Sequence, residues 1–434
     1  MTARVLYEIV LHKLHLDCIL ARERLRALGY YGQKKTYRKI ISRISERGHA
    51  NVVFIASSLS MWRYDGLCRM MMADSRFSVY VVIHPFNTYS IEARKDEIRR
   101  MASYFDSLGV PYIVSGEDGE DSYKDFKAKF RPDMIFYVQH YEGVYGDSLE
   151  WRTNRDCLLA YIPYTLTLAY SQWSFNQDMH NVLWRSYQPS EVHRRVAVKL
   201  ASNRGRNISV AGDPRFDSLT AAPLSDPWKA MPDGRHRKRV IFAPHFQVRT
   251  NNLFNRPEFI QVAELMLQLA VDYSDRLQFA FKPHPRLKSE LYNHPEWGVE
   301  KTDRYYRQWS ELPNCQMEEG DYIDLFIHSD AIIHNCGSFT CEYLMTRKPA
   351  AFVAGNLAEV EKNMHEYALA CMDAHYTVYT EPEIRDFVDN VVLAGVDPRK
   401  KMREKVFAEY LTPPDTGNTA MNVFNDIINS FGWN

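Results

Sequence analysis

The chain has 434 residues, of which 45% are apolar and 25% charged, and its 54 basic side chains are balanced by 54 acidic ones. That length is more than one hydrophobic core holds and predicts two domains, while the zero net charge excludes a polycationic molecule built for nucleic acid. Seven scattered cysteines without a C-x-x-C pair exclude a disulfide framework or a cysteine zinc site, and without a run of 18 apolar residues the expectation is a cytoplasmic protein.

Residues 1–48 stand apart electrically, with eleven Lys or Arg against four Asp or Glu, a net of +7. Leu14, Cys18, Leu25 and Leu28, then Tyr37, Ile40, Ile41 and Ile44, recur at helical spacing with basic residues between them. Gly29 and Gly32 predict a break into two helices. Such a basic helical extension packs on the first domain or rests on anionic lipid, where each Lys or Arg contributes about 1 kcal/mol. The second role places the protein peripherally on the inner face of the plasma membrane.

From Asn51 the pattern becomes strand, helix, strand: NVVFIAS, then DGLCRMMMAD, then FSVYVVIHP. It continues through a helix at 91–108, the strand PYIVS, a helix at 124–130, and the strands DMIFYVQ and LLAYIPYTL. Alternating strands and helices mean a parallel sheet, so residues 49–218 form a Rossmann-like N-terminal domain. Residues 219–239, rich in Pro, Asp, Lys and Arg, have turn composition and are assigned as the linker. Residues 240–434 form a second α/β domain with strands RVIFAPH, LQFAFKPHP, AIIHNCG and PAAFVAG. Its helices fall at 257–273, 321–328 and 338–346, and a last one at 418–431 crosses back to the first domain.

Ligands of open α/β sheets bind beyond the carboxyl ends of the strands, and three polar clusters sit at such ends. They are Pro244-His245, Lys282-Pro283-His284-Pro285, and His334-Asn335-Cys336-Gly337-Ser338. Gly337 lets backbone approach a ligand, and Ser338 caps or opens the helix that follows, giving free N–H groups for a phosphate. Lys282 and His284, two residues apart on an extended backbone, share a face, where they can neutralise a diphosphate and donate to it. His284 then acts as hydrogen-bond donor or general acid. His245 orients the donor or takes a proton, and Asp321 and Asp324 supply helix N-terminal charge. Neither a P-loop, a G-x-G-x-x-G fingerprint, a G-x-S-x-G elbow, an H-E-x-x-H helix nor a D-x-D triplet occurs. The expectation is therefore a mechanism with no cofactor and no metal ligands.

GDPRFD at 212–217, VIFAPHF at 240–246, FKPHP at 281–285 and the stretch 321–353 resemble, in order and spacing, the C-terminal half of the CDP-glycerol glycerophosphotransferases of teichoic-acid and capsule synthesis. SLSMWRYDGLCRMMMADSRFSVYVVIHPF, from Ser58, resembles their first domain more loosely. The resemblance implies a GT-B architecture, two Rossmann-like domains facing across a cleft, and a CDP-alcohol donor such as CDP-glycerol held by the second domain. It also implies attack of an acceptor hydroxyl, on a glycan or lipid-linked polymer, at the β-phosphorus with CMP leaving. The resemblance places donor-phosphate contacts at His284, Gly337, Ser338 and Phe339 or Thr340, to which the residue reading adds Lys282, Asn335 and Glu342. Where the family carries a Trp-His-Gly motif this chain reads Tyr161-Ile162-Pro163-Tyr164, so the base passes to His140, His245 or Asp65. Two other functions stay open: a nucleotide-sugar glycosyltransferase of the same fold, with Glu342 on ribose or sugar hydroxyls, and a non-catalytic scaffold of an envelope-assembly complex.

Overall fold

The structure is a computed structural model that describes residues 3–115, 126–223, 225–248 and 258–433. The expected helix starts at 124 and 257 lie outside the described residues. Among the described residues thirteen strands form two all-parallel sheets. The first comprises β1 (Ala50–Ala56), β2 (Phe77–Ile83), β3 (Tyr112–Val114), β4 (Met134–Tyr137), β5 (Leu158–Tyr161), β6 (Arg185–Gln188) and β7 (Ile208–Val210). The second comprises β8 (Lys238–Ala243), β9 (Leu277–Phe281), β10 (Cys315–Met317), β11 (Ala331–His334), β12 (Ala350–Val353) and β13 (Tyr376–Val378). Their orders are β3-β2-β1-β4-β5-β6-β7 and β10-β9-β8-β11-β12-β13. In both, the chain winds outward over three strands and then returns to the other side of the first, so the winding reverses between the first and fourth strands, the doubly wound pattern of a Rossmann sheet.

The apolar runs in the sequence exist because both faces of each sheet are covered. In the first sheet Val52, Phe54, Phe136 and Ala160 join one core cluster, while the alternate residues Val53, Ile55, Ile135 and Leu159 join another. In the second, Val240, Phe242, Phe281 and Ile333 pack with Phe259, Met266 and Trp309 from the covering helices.

By contacts the chain divides into one unit of residues 1–214 and 413–434 and a second of residues 215–412. The passage falls at Pro214–Arg215, and the 219–239 segment lies within the second unit. The terminal helix, Thr419–Phe431, packs in the first unit, where Val423, Ile427 and Phe431 join the core with Phe54 and Leu158. Gly212 permits this return. Its φ is +104°, and a Cβ there would stand 2.5 Å from Pro413 Cβ and 2.6 Å from Thr419 Oγ1, so only glycine fits.

The basic N-terminal segment departs from expectation by forming one helix, Ala3–Arg47, unbroken at Gly29 and Gly32. A helical glycine costs only about 1 kcal/mol, and anchors on either side of the pair outweigh that. Arg26 Nε donates to Asp178 at 2.6 Å, Tyr30 Oη to the Arg206 carbonyl at 3.3 Å, and Gln33 and Tyr37 to the carbonyls of Arg155 and Val182. Tyr37, Ile40 and Ile44 are buried in the first unit's core. Among the described residues no helix is long and apolar enough to cross a membrane.

Candidate functional site

The three polar clusters follow β9, β8 and β11, which are neighbours in the second sheet, and β8 and β11 flank the point where its winding reverses. Main-chain hydrogen bonds tie the clusters together. The backbone N–H of His245 donates to Asn335 Oδ1 at 2.7 Å, and that of His284 donates to the Pro244 carbonyl at 3.0 Å. The His245 and His284 rings lie 5.0 Å apart and both flank Phe246, at 4.3 and 4.6 Å.

Each group has a definite hydrogen-bonding state. Asn335 is 4% exposed, its Oδ1 is taken by His245, and its Nδ2 is buried without a partner. An unsatisfied buried donor costs about 1–3 kcal/mol, which an acceptor oxygen entering the site would recover. His284 Nδ1 accepts the backbone N–H of Arg286 at 3.1 Å, so the ring proton resides on Nε2. Burial, with the Arg286 charge adding to it, pushes the His284 pKa down to about 4. At neutral pH His284 is therefore an uncharged ring that carries its proton on Nε2.

Lys282 is 8% exposed, and its Nζ donates to the Gly320 carbonyl at 2.7 Å and lies 5.8 Å from the Tyr322 ring. Burial lowers its pKa, against the opposing charges of Asp321 and Glu318. The expected alternation holds in the backbone, where Lys282 N–H reaches the Phe242 carbonyl at 2.8 Å. The side chains diverge, Lys282 toward Gly320 and His284 toward His245, because buried polar heads follow their hydrogen-bond partners.

Gly337 opens the short helix Gly337–Glu342 with Cys336 at the cap, and Ser338 sits in the first turn, 3.4 Å from Cys336 Sγ. Phe339 packs on Tyr322 and Phe326, and the Thr340 hydroxyl donates to the Cys336 carbonyl at 3.3 Å. The side chains of these two residues are thus engaged within the second unit. Glu342 does not stand open for ribose hydroxyls: Oε1 accepts from Arg215 at 2.6 Å and Oε2 from Tyr322 Oη at 2.5 Å. Arg215 and Glu342 are both buried, an ion pair that costs several kcal/mol to break from one side. Sequence reading missed it because 127 residues separate the partners.

In the first unit His140 lies just beyond β4, beside the equivalent reversal between β1 and β4. It is 6% exposed, its Nδ1 lies 3.3 Å from Tyr161 Oη, and its Nε2 is buried and unpaired. His180, absent from the sequence-based set, lies 4.5 Å away ring to ring, and its Nε2 is likewise unpaired. Burial pushes His140 down to about 4 and His180 well below its ordinary value, so both rings are neutral. Exposed Trp173 flanks His140 at 5.9 Å. Asp65 is no free base, since its carboxylate accepts from Trp62 Nε1 and Tyr104 Oη. Among the described residues no group of three or more His, Cys, Asp or Glu is placed to hold a metal ion.

Two parallel Rossmann-type sheets, of seven and six strands, with a long N-terminal helix, define a GT-B-like α/β protein. No protein-family model matches the sequence, and no curated protein does. Solved structures do match in fold. The wall teichoic acid polymerase TagF, as a variant soaked with CDPG, aligns over 95% of this chain and 98% of its own at 11% identity and a TM-score of 0.56. A UDP-N-acetylglucosamine 2-epimerase aligns over 89% and 97% at 11% identity and a TM-score of 0.58. The UDP-GlcNAc 2-epimerase of Neisseria meningitidis, bound to UDP-GlcNAc, aligns over 87% and 100% at 12% and 0.56. The structural neighbours are thus enzymes of a GT-B-like fold.

Proposed function

We propose that this chain transfers glycerol phosphate, or a related polyol phosphate, from a CDP-activated donor to a hydroxyl of a cell-envelope glycan or lipid-linked polymer. The observation that carries the reading is the convergence of His284, His245 and Asn335, with its unpaired Nδ2, at the reversal point of the second sheet. Two neutral donors, with the Lys282 side chain turned toward Gly320, suit an anion with several acceptor oxygens, as a diphosphate has. The teichoic-type motifs at 212–217, 240–246, 281–285 and 321–353 support the same donor class, as does a shared fold with a polymerase soaked with CDPG.

In the reaction the acceptor oxygen forms a bond to the β-phosphorus while the bond from that phosphorus to the bridging oxygen breaks. CMP leaves with the electron pair, and the acceptor's proton passes to a base. His284 Nε2–H, Asn335 Nδ2–H and Lys282 stabilise charge on the phosphates. His140, held neutral by burial, has the protonation state a base requires, and His245 is the second candidate. The basic helix supplies an anionic-membrane contact, since its outward face exposes Leu25 (68%) and Leu28 (65%) among Arg24, Lys34 and Lys35.

A nucleotide-sugar reaction is the second reading, motivated by the fold shared with UDP-GlcNAc 2-epimerases. The Arg215–Glu342 pair weighs against it, because the carboxylate suited to hydroxyl binding is already engaged. Mass spectrometry of products from a panel of CDP-alcohols and UDP-sugars separates the two. CMP release from CDP-glycerol with phosphoglycerol transfer supports the first; turnover of a UDP-sugar alone overturns it.

A further inference from the structure

Behind the turn that follows β11 lie two fully buried histidines whose proton positions are fixed by their partners. His375 Nδ1 is 2.9 Å from the Cys371 carbonyl, which can only accept, so the His375 proton resides on Nδ1. Burial, joined by the charges of Arg403 and Arg399, pushes the His375 pKa down to about 4, against a weaker upward pull from its bond to the Cys371 carbonyl. The ring is neutral and its Nε2 is bare. That nitrogen lies 3.1 Å from His334 Nε2, so His334 must carry its proton there and donate it. His334 Nδ1 then carries no proton and accepts the backbone N–H of Cys336 at 3.2 Å, while the Cys336 carbonyl, 3.1 Å from the same nitrogen, receives none from it. One chain of hydrogen bonds, each setting the next, runs from Cys371 through His375 and His334 to Cys336.

Asn335 sits between the two residues this chain grips. Its Oδ1 holds the His245 backbone, and its Nδ2 is the unpaired donor of the candidate site. The Cys336 amide, by contrast, is turned back onto His334 and is not offered to a ligand. We infer that His375 is a positioning residue: by fixing which nitrogen of His334 bears the proton, it sets the Asn335–Cys336 turn and presents the Asn335 amide to an anionic ligand. This rests on the donor-site reading for the identity of the ligand. The hydrogen-bond chain itself does not.

Two variants in the full chain cut the relay at opposite ends. His375→Asn keeps a donor at the Nδ1 position for Cys371 but loses the acceptor that His334 needs. His375→Gln places an amide oxygen near the Nε2 position and keeps that acceptor. Hydrogen–deuterium exchange over peptides containing His245 and Cys336 is expected to speed up in His375→Asn and stay near wild type in His375→Gln. Calorimetric titration with CDP should show about tenfold weaker binding for Asn than for Gln, the scale of one lost hydrogen bond. Equal exchange at both segments in the two variants, or an Asn variant that binds CDP as tightly as Gln, overturns the positioning role. A wild type that binds neither CDP nor inorganic pyrophosphate, while Asn still speeds exchange, overturns the donor reading instead and confines His375 to shaping the turn.

Discussion

Replacing His284 tests whether the second unit stabilises a leaving phosphate, and the structure predicts an unusual order among variants. Nδ1 is committed to Arg286 and the ring is neutral, so the only group His284 can lend a phosphate is Nε2–H. Removing one preorganised donor to developing charge costs roughly 10²- to 10³-fold in turnover, about 2.7–4 kcal/mol. That is the loss expected for His284→Ala. His284→Gln can place an amide N–H near the Nε2 position and should keep turnover within about tenfold of wild type, close to one hydrogen bond in value. The assay is CMP release from CDP-glycerol at saturating acceptor, with circular dichroism to show that both variants fold. The pH profile gives a second test: a neutral donor with a pKa near 4 leaves kcat/KM flat from pH 6 to 8 on this residue's account. If Gln is as inactive as Ala, or if a limb near pH 6.5 vanishes in both, His284 works as a charged acid and the reasoning fails.

The buried histidines make the fold sensitive to acid. His375 titrates near 4 when folded against an ordinary value of 6.5, so its contribution is complete above pH 6.5 and is lost as pH falls toward 4, up to about 3 kcal/mol; His140 acts in the same direction. Urea midpoints at pH 7.5 and 4.5 should fall accordingly, and a pH-independent midpoint contradicts neutral burial. Gly32→Ala should stabilise the first unit by about 0.5–1 kcal/mol, because the helix is continuous there and a Cβ meets nothing within 4 Å. Gly212→Ala should lower the thermal midpoint sharply through its clash with Pro413, and calorimetry of both variants checks the opposite signs. Leu25→Glu with Leu28→Glu should release the protein from anionic vesicles in flotation without changing its thermal midpoint, since both side chains are exposed; unchanged flotation removes the membrane role. Deleting residues 1–48 is no substitute, because it removes the core residues Tyr37, Ile40 and Ile44.

Much of the fold was legible because strands buried on both faces leave continuous apolar runs, as NVVFIA and VIFA do. β6, with sequence RSYQ, and the three-residue strands β7, β10 and β13 leave no such run, and sheet pairing rather than composition makes them strands. At the candidate site, chain-local signals located all three strand-end clusters. They could not reveal how the side chains are committed, since Glu342 is claimed by Arg215 and His334 by His375, 127 and 41 residues away. The unbroken N-terminal helix was hidden for the same reason, its continuity being fixed by Asp178, Arg155 and Val182.

The return of the chain beside Gly212 has a consequence for synthesis. Residues 215–412 are an insertion within the first unit, entering and leaving at neighbouring points, and the inserted unit owns all six strands of its sheet. It can therefore complete its core before residues 413–434 are made, whereas the first unit, begun earlier, lacks Val423, Ile427 and Phe431 until that segment follows the inserted unit. The order of completion is the reverse of the order of translation, and a stop codon shortly before Pro413 would leave the nascent first unit, not the second, with an open apolar face for chaperones to hold.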